Sequence, residues 1–387
     1  VDSQGVLKVG PRSAGADPGP VCYDLGGTEP TITDCYLLIG YIHSDHFLGG
    51  RRKLDRAAAE AALSEIARRC GIEGKDRAVK AAEAALKVAT AVMSTELYKS
   101  LAQRGQDPRD FALMPFGGAG PTHGNLLADE ARLTTVVVPP APATFCAMGA
   151  ILADVKRDYV RSRHLKLASG EADIETLAAT FREIEDEARA WIATEGALLG
   201  KPVFAATCDM RYAGQAFDLQ VAIPEKLRLK PDAAALTERF HQEHEKIYGF
   251  RDADSGVEIT TERLQVIGKI PPIELPEVAN GTGQRPRSVQ DRRIFHRGAS
   301  LTVPVYLRPE LRLGDKITGP AIVEQEDCTI WIIPGWSGQV DRIGNLILTS
   351  ARAPRRSSPA ARVARRRSPG QAISPRGTRS LRRARSR

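Results

Sequence analysis

A chain of 387 residues can hold two domains with sizeable cores, since domains commonly run to roughly 100 to 200 residues. Its formal charge of +8 suggests a nucleic-acid binder, but thirteen arginines and no Lys, Asp or Glu fall in residues 352 to 387, leaving a body of 42 basic and 47 acidic residues that gives no reason to expect nucleic acid. Six cysteines without C-x-x-C or His/Cys ligand spacing argue against a disulfide framework or structural zinc, and no apolar run approaches the roughly 18 residues of a membrane span, so reduced thiols and a cytoplasmic location are expected.

From Val6 to Asp34 the chain is rich in Gly, Pro and Thr and has no preceding element to pack against, so it reads as opening inside a domain, with a segment missing upstream. Asp55 can cap a helix running to about Arg69, with Leu54, Leu63 and Ile66 as apolar anchors and Gly71 as its stop. A longer helix is predicted from about Lys75 to Gln103, its apolar stripe formed by Leu86, Met93, Leu97 and Leu101. Next comes a β-α-β pattern: a strand Phe111 to Phe116, a glycine turn, a helix Thr122 to Ala131, and a strand Thr135 to Val138 closed by two prolines. Strands with few polar positions joined by a helix predict a parallel sheet covered on both faces, in an α/β domain spanning residues 1 to 155.

Residues 171 to 198 read as a long helix with Ile174, Leu177, Phe181, Ile184 and Trp191 on its apolar face. Phe217, Leu219, Val221 and Ile223 alternate as a strand, Pro231 to Tyr248 reads as a helix, and Ile259 to Ile267 is extended. After a Pro/Gly-rich linker at about Pro271 to Gly283, short strands are predicted at Leu301 to Leu307, Ala321 to Glu324, Thr329 to Ile333 and Leu346 to Leu348. Together these predict a β-rich α+β domain over residues 160 to 350. The Arg/Ser/Pro/Ala tail from 351 to 387 has almost nothing to bury, so disorder is expected. It reads either as an RNA-binding or phosphorylatable arm or as an out-of-frame extension of a GC-rich coding sequence.

The glycine turn, P-F-G-G-A-G-P-T-H from Pro115 to His123, carries the most chemistry. Gly117, Gly118 and Gly120 can take φ > 0 and have no Cβ, so main chain can approach a phosphate or nucleotide closely, and the following helix start favours an anion. No Gly-Lys-Ser/Thr follows and no complete G-x-G-x-x-G is present, and a tight strand-to-helix connection without a ligand fits the same spacing.

Several longer motifs accompany it: V-G-P-R-S-A-G-A-D-P-G-P-V-C-Y-D-L-G-G-T-E-P-T-I-T-D at Val9 to Asp34, F-L-G-G-R at Phe47, V-P-P-A-P-A-T-F-C-A-M-G-A-I-L-A-D-V at Val138, R-Y-A-G-Q at Arg211, Y-G-F-R-D at Tyr248, G-P-A-I-V-E at Gly319 and P-G-W at Pro334. Over about Val1 to Ser350 the chain resembles the hydantoinase A/oxoprolinase family of ATP-dependent cyclic-amide-opening enzymes and acetone-type carboxylase subunits. The resemblance implies the second lobe of an actin-like ATPase fold (ribonuclease H-like), followed by the β-rich α+β domain, with ATP and Mg²⁺ as cofactors. It also implies a small cyclic amide substrate and a hydantoinase B-type partner subunit. The acidic, glycine-rich phosphate motif that the family carries near its N-terminus has no counterpart here, so the chain resembles the C-terminal portion of a longer protein. The M-S-T-E-L-Y-K-S-L helix segment from Met93 departs from many relatives and leaves the substrate open. A carboxylase subunit, and an inactive remnant or assembly subunit, stand as alternative functions.

Gly117, Gly118, Ala119 and Gly120 are the nucleotide-binding candidates that the resemblance implies. Asp17 and Asp34 are the acidic candidates for metal or phosphate-water contacts, although an Asx turn at Asp17 and helix capping by Asp34 compete with that role. His123 is a candidate ligand-facing donor or acid/base, with a packed histidine as the alternative. His43 and His46, and His241 and His244, form H-x-x-H pairs without a nearby third ligand and read as structural or surface residues. Gln215, Tyr248, Arg251 and Asp252 are candidates for substrate or partner contact, with turn chemistry around Gly214 and Gly249 as the alternative. No metal ligands are assigned.

Overall fold

A computed structural model describes residues 1–168, 170–195, 201–272, 274–281 and 285–352. The expected disorder of the tail beyond 352 and the last three residues of the helix predicted at 171–198 fall outside these. The chain order begins with a 3₁₀ turn (Val21–Tyr23), then α1 (Ile32–Ile39), α2 (Arg56–Arg69), α3 (Arg77–Ala102), α4 (Gly120–Glu130), β1 (Thr135–Val138) and α5 (Phe145–Ile151). It continues through β2 (Val155–Lys166), α6 (Glu171–Glu195), β3 (Val203–Tyr212), β4 (Leu219–Ile223), α7 (Glu225–Leu229), α8 (Ala233–Tyr248) and β5 (Val257–Gly268). Seven strands close it: β6 (Gln290–His296), β7 (Ala299–Leu307), β8 (Lys316–Thr318), β9 (Ala321–Glu324), β10 (Thr329–Ile332), β11 (Trp336–Val340) and β12 (Leu346–Ser350).

Packing divides the chain into one unit made of residues 1–142 together with 279 onward, and a second unit of residues 143–278. Strands after the Pro/Gly linker fold with the first 142 residues.

In the first unit, Asp55 caps α2 by accepting the Ala58 N–H, as its position before an apolar run requires. Helix α3 buries Ala78, Ala81, Ala82, Ala85, Leu86 and Ala89 against α1 and α2. Of the stripe expected there only Leu86 is buried; Met93 is exposed, because small alanine side chains let the helices approach closely and take over the contact. Strand β1 lies where the sequence puts it, but not in a parallel sheet. It pairs antiparallel with β12, from Thr135 opposite Thr349 to Val138 opposite Leu346, at the edge of a sheet ordered β1-β12-β11-β8. The strand predicted at Phe111 to Phe116 reduces to one parallel bridge, Leu113 to Val136. A second sheet, β10-β9-β7-β6, contains the parallel pair β7/β9, and α4 packs on β10.

The second unit is an antiparallel sheet, β2-β5-β3-β4. Its core gathers Leu177, Phe181 and Ile184 of α6, Leu236 and Phe240 of α8, and inward residues of the strands such as Met210, Leu264 and Val266. Among them stands Glu262 of β5, fully buried, with neither carboxylate oxygen hydrogen-bonded. None of the described helices is long and apolar enough to cross a membrane.

Candidate functional site

The glycine turn in the first unit opens into a cleft of about 180 Å³. Gly118, Ala119 and Thr122 form one side, Tyr23, Tyr36, His43, His46 and Phe47 another, and Glu324 to Thr329 of the β9–β10 hairpin a third. Local chemistry explains the turn. Gly117 alone of the three glycines has a positive φ, +80°, and its N–H donates to Pro142 O at 2.7 Å. Gly118 and Gly120 serve by lacking bulk: a Cβ on Gly118 would project beside Asp327 O at 3.6 Å, and one on Gly120 would press on Pro115 at 3.3 Å. Thr122 Oγ1 donates to Thr329 O at 2.7 Å, and Asn125 Oδ1 accepts the Ile333 N–H at 3.0 Å, so α4 is fastened to β10.

The hairpin wall is acidic and polar. Glu324 accepts from Arg292 Nη2 at 2.6 Å in a buried ion pair, while Glu326 pairs with Arg51 at the surface. The Cys328 thiol is pushed up to about 12, first by burial and then by Asp327, which disfavours its thiolate. On another side, Tyr23 packs tilted against Phe47 with ring centroids 5.7 Å apart and carries the Arg52 guanidinium over its ring.

His43 and His46, expected in structural or surface roles, both line this cleft, their rings 5.0 Å apart. Burial, with Arg292 and His46 nearby, holds His43 below its ordinary value. Its Nδ1 accepts the Asp45 N–H, so the neutral ring carries its hydrogen on Nε2. No group of three His, Cys, Asp or Glu side chains stands together as a metal site among the described residues.

His123 is buried and does not line the cleft. Tyr36 OH lies 2.8 Å from its Nδ1 and Thr90 Oγ1 2.9 Å from its Nε2. Because Thr90 donates its only hydrogen to Leu86 O, it must accept from His123 Nε2–H, and Tyr36 OH then donates to Nδ1. Burial lowers His123 to about 4, so the ring is neutral and ties α1, α3 and α4 together beneath Tyr36. The unfolded chain, with an ordinary histidine near 6.5, binds more protons between those values. Stability supplied by His123 is therefore present above about 6.5 and is lost as pH falls towards 4. His123→Gln is expected to flatten the acid limb of a melting-temperature profile between pH 6.5 and 4; an unchanged limb would refute this tie.

Asp34 sits at the third position of α1 and completes a capping box with Thr31. Its Oδ2 accepts from Thr31 N at 2.6 Å, Thr31 Oγ1 at 2.9 Å and Val21 N at 3.3 Å, and Oδ1 accepts from Cys22 N at 2.7 Å. It is fully buried and fastens the 3₁₀ turn onto α1. Asp17 lies exposed in the preceding loop and is not part of the cleft wall.

In the second unit, the R-Y-A-G-Q and Y-G-F-R-D motifs converge. Tyr212 OH accepts the Asp252 N–H at 2.8 Å, Gln215 Oε1 accepts the Tyr212 N–H, and the Asp252 carboxylate holds the turn through Asp254 and Ser255. Arg251 pairs with Glu238 and Glu245, and Tyr248 is exposed at the end of α8. His241 and His244 are buried there, His244 Nδ1 donating to Phe250 O.

The sequence profile of hydantoinase/oxoprolinase matches residues 1–159, and that of the hydantoinase/oxoprolinase C-terminal domain matches residues 166–349. The alpha subunit of caprolactamase from Pseudomonas jessenii is 31% identical over 90% of this chain and 50% of its own length. Acetophenone carboxylase gamma subunit from Aromatoleum aromaticum is 34% identical over 90% of this chain and 48% of its own. Among solved structures, nucleotide-free acetone carboxylase superposes with a TM-score of 0.77 at 26% identity, and the ATP-dependent caprolactamase from P. jessenii with 0.72 at 31% identity. Each superposition covers 90% of this chain and 51% of the other. The chain thus spans about half the length of the curated relatives it matches. With both profiles met in order along one mixed α/β fold of several sheets, the chain belongs to the hydantoinase/oxoprolinase family.

Proposed function

We propose that this chain forms the nucleotide-holding part of a cytoplasmic ATP-dependent cyclic amide hydrolase, the second lobe of an actin-like fold that works with a hydantoinase B-type subunit. The observation that carries this reading is the glycine turn: Gly118 and Ala119 open directly into a cleft that a side chain at Gly118 would partly fill. Such an opening would let main chain approach an adenine nucleotide closely beside the start of α4. Bound ATP supplies the phosphoryl group that turns an unreactive amide carbonyl into a better electrophile. The chain's own contribution is positioning. Tyr36 is oriented by His123 at the cleft wall, His43 presents Nε2–H, and Asp34 keeps the 3₁₀ turn carrying Tyr23 in place. Asp17, facing solvent, is the remaining candidate to meet a phosphate or a partner's group. No residues are assigned to Mg²⁺, which when bound with ATP would take its ligands largely from phosphates and water.

Gly118→Val is expected to keep the fold, because the new Cβ meets only Asp327 O at ordinary contact distance, and to abolish adenine-nucleotide binding. Calorimetric titration with ATP tests it; full affinity in the folded variant would remove the turn from the site. A carboxylase reading is retained because the acetone carboxylase structure superposes slightly better than caprolactamase despite lower identity. Supplying the N-terminal half of a relative and a B-type subunit, then assaying phosphate release alongside hydantoin opening with and without bicarbonate, separates the two. Product formed only with bicarbonate selects the carboxylase.

A further inference from the structure

The cleft contains a carboxylate that the fold has fixed from behind. Glu324 ends β9 and is mostly buried, yet it lines the cleft. Its Oε1 is taken by Arg292 Nη2 at 2.6 Å, and among the described residues no donor reaches its Oε2. Arg292 comes from β6, in the same sheet as β9, and is itself buried, with Nε and Nη1 unpaired. A guanidinium sunk this far with one partner is tolerated only while that partner stays put, so Glu324 is held in a single orientation. A carboxylate is acceptor-only, so the second oxygen, open to the cleft, takes its donor from water or from a ligand that displaces it. The surrounding wall is partly aromatic, through Tyr23, Tyr36 and Phe47, which suits a flat ring.

We propose that Glu324, positioned by Arg292, sets the ligand specificity of this cleft by accepting an N–H from a planar nitrogen-bearing ring. This rests on the reading that the cleft binds the nucleotide or the cyclic amide. Both ligands offer the required chemistry, the exocyclic amino group of adenine in one case and the ring amide N–H in the other. The carboxylate disfavours a ring that turns a carbonyl oxygen or an N-methyl group towards it, because its lone pairs would then face a repulsive or blocked neighbour.

The full chain would be titrated with two ligand pairs: ATP against purine riboside triphosphate, which lacks the amino group, and hydantoin against 1,3-dimethylhydantoin, which lacks both N–H groups. Wild-type protein is expected to prefer the N–H-bearing member of one pair by roughly tenfold or more, and the pair that discriminates identifies the source. Glu324→Gln can still accept from Arg292 but can turn an amide N–H₂ to the ligand, so the ratio should fall to about one or invert. Binding with equal affinity within both pairs by wild type overturns the proposal without recourse to any variant. A wild-type preference that survives unchanged in a Glu324→Gln protein of normal melting temperature also overturns it, while leaving the cleft as the binding site. Failure of wild type to bind any of the four compounds overturns both this proposal and the assignment of the cleft.

Discussion

Asp34→Ala is expected to lower stability by about 3 to 5 kcal/mol, a drop in melting temperature on the order of 10 °C. The carboxylate accepts four hydrogen bonds, from the main chain of Val21, Cys22 and Thr31 and from the Thr31 hydroxyl. Truncation leaves donors in a buried place without an acceptor, which costs about 1 to 3 kcal/mol for each one that water cannot reach. Loss of the cap adds about 1 kcal/mol. Asp34→Asn keeps the shape but turns an N–H₂ group towards some of these donors, so it should fall between wild type and Ala. Thermal unfolding checks the series. If both variants melt like wild type while ATP-dependent turnover of the reconstituted enzyme disappears, Asp34 is a catalytic carboxylate and the structural reading fails.

Glu262→Gln is expected to stabilise the protein above pH 7 and to do little below pH 4.5. The side chain stands on β5 opposite Cys208 of β3 in the core of the second unit, with no hydrogen-bond partner for either oxygen. Burial pushes the carboxyl up to about 7, against the smaller opposing effects of its own backbone N–H and of Arg163. Because the folded value is raised above the unfolded one, near 4.5, the unfolded chain binds fewer protons between them. The stability tied to the protonated form is fully present below 4.5 and is lost as pH rises through 7. The expected loss is on the order of 2 to 3 kcal/mol. Denaturant unfolding of wild type and variant across pH 4 to 8.5 should diverge steadily from pH 4.5 to 7 and then run parallel. Curves that stay parallel throughout would mean that the ionised carboxylate finds a partner or water in the folded state.

The features legible in the sequence were those that depend on near neighbours. Asp55 before R-A-A-A-E marked the start of α2, and Thr135 to Val138 and Ala321 to Glu324 marked strands to the residue. The partner of β1 was not legible, because four Val- and Thr-rich residues read alike in parallel and antiparallel sheets and the mate, Leu346 to Thr349, lies far along the chain. The same distance hid most of the cleft. The glycine turn and the G-P-A-I-V-E motif were each visible, but nothing local said that Glu324 to Thr329 would stand across from Gly118, or that His43 and His46 would join them. The spacing of an H-x-x-H pair speaks only to ligands along one element, whereas the cleft is assembled from three separate stretches of chain. For Asp34 the capping signal was present in Thr31 and in the apolar run that follows. Its bond to Cys22 depended on a 3₁₀ turn that composition does not announce.

The pairing of β1 with β12 also governs where this polypeptide can be divided. Joining Val138 to Leu346 closes a loop of roughly 200 residues, an entropic cost that grows only slowly with length and is further reduced once the contiguous segment 143–278 has collapsed by itself. The interval between the two matched profiles, around residue 160, therefore resembles a domain boundary without being one that scissors can follow. A fragment ending there would lose β8, β11 and β12 and carry Val136 and Val138, both essentially inaccessible in the intact chain, on a strand without its partner, ready to pair with a neighbouring molecule.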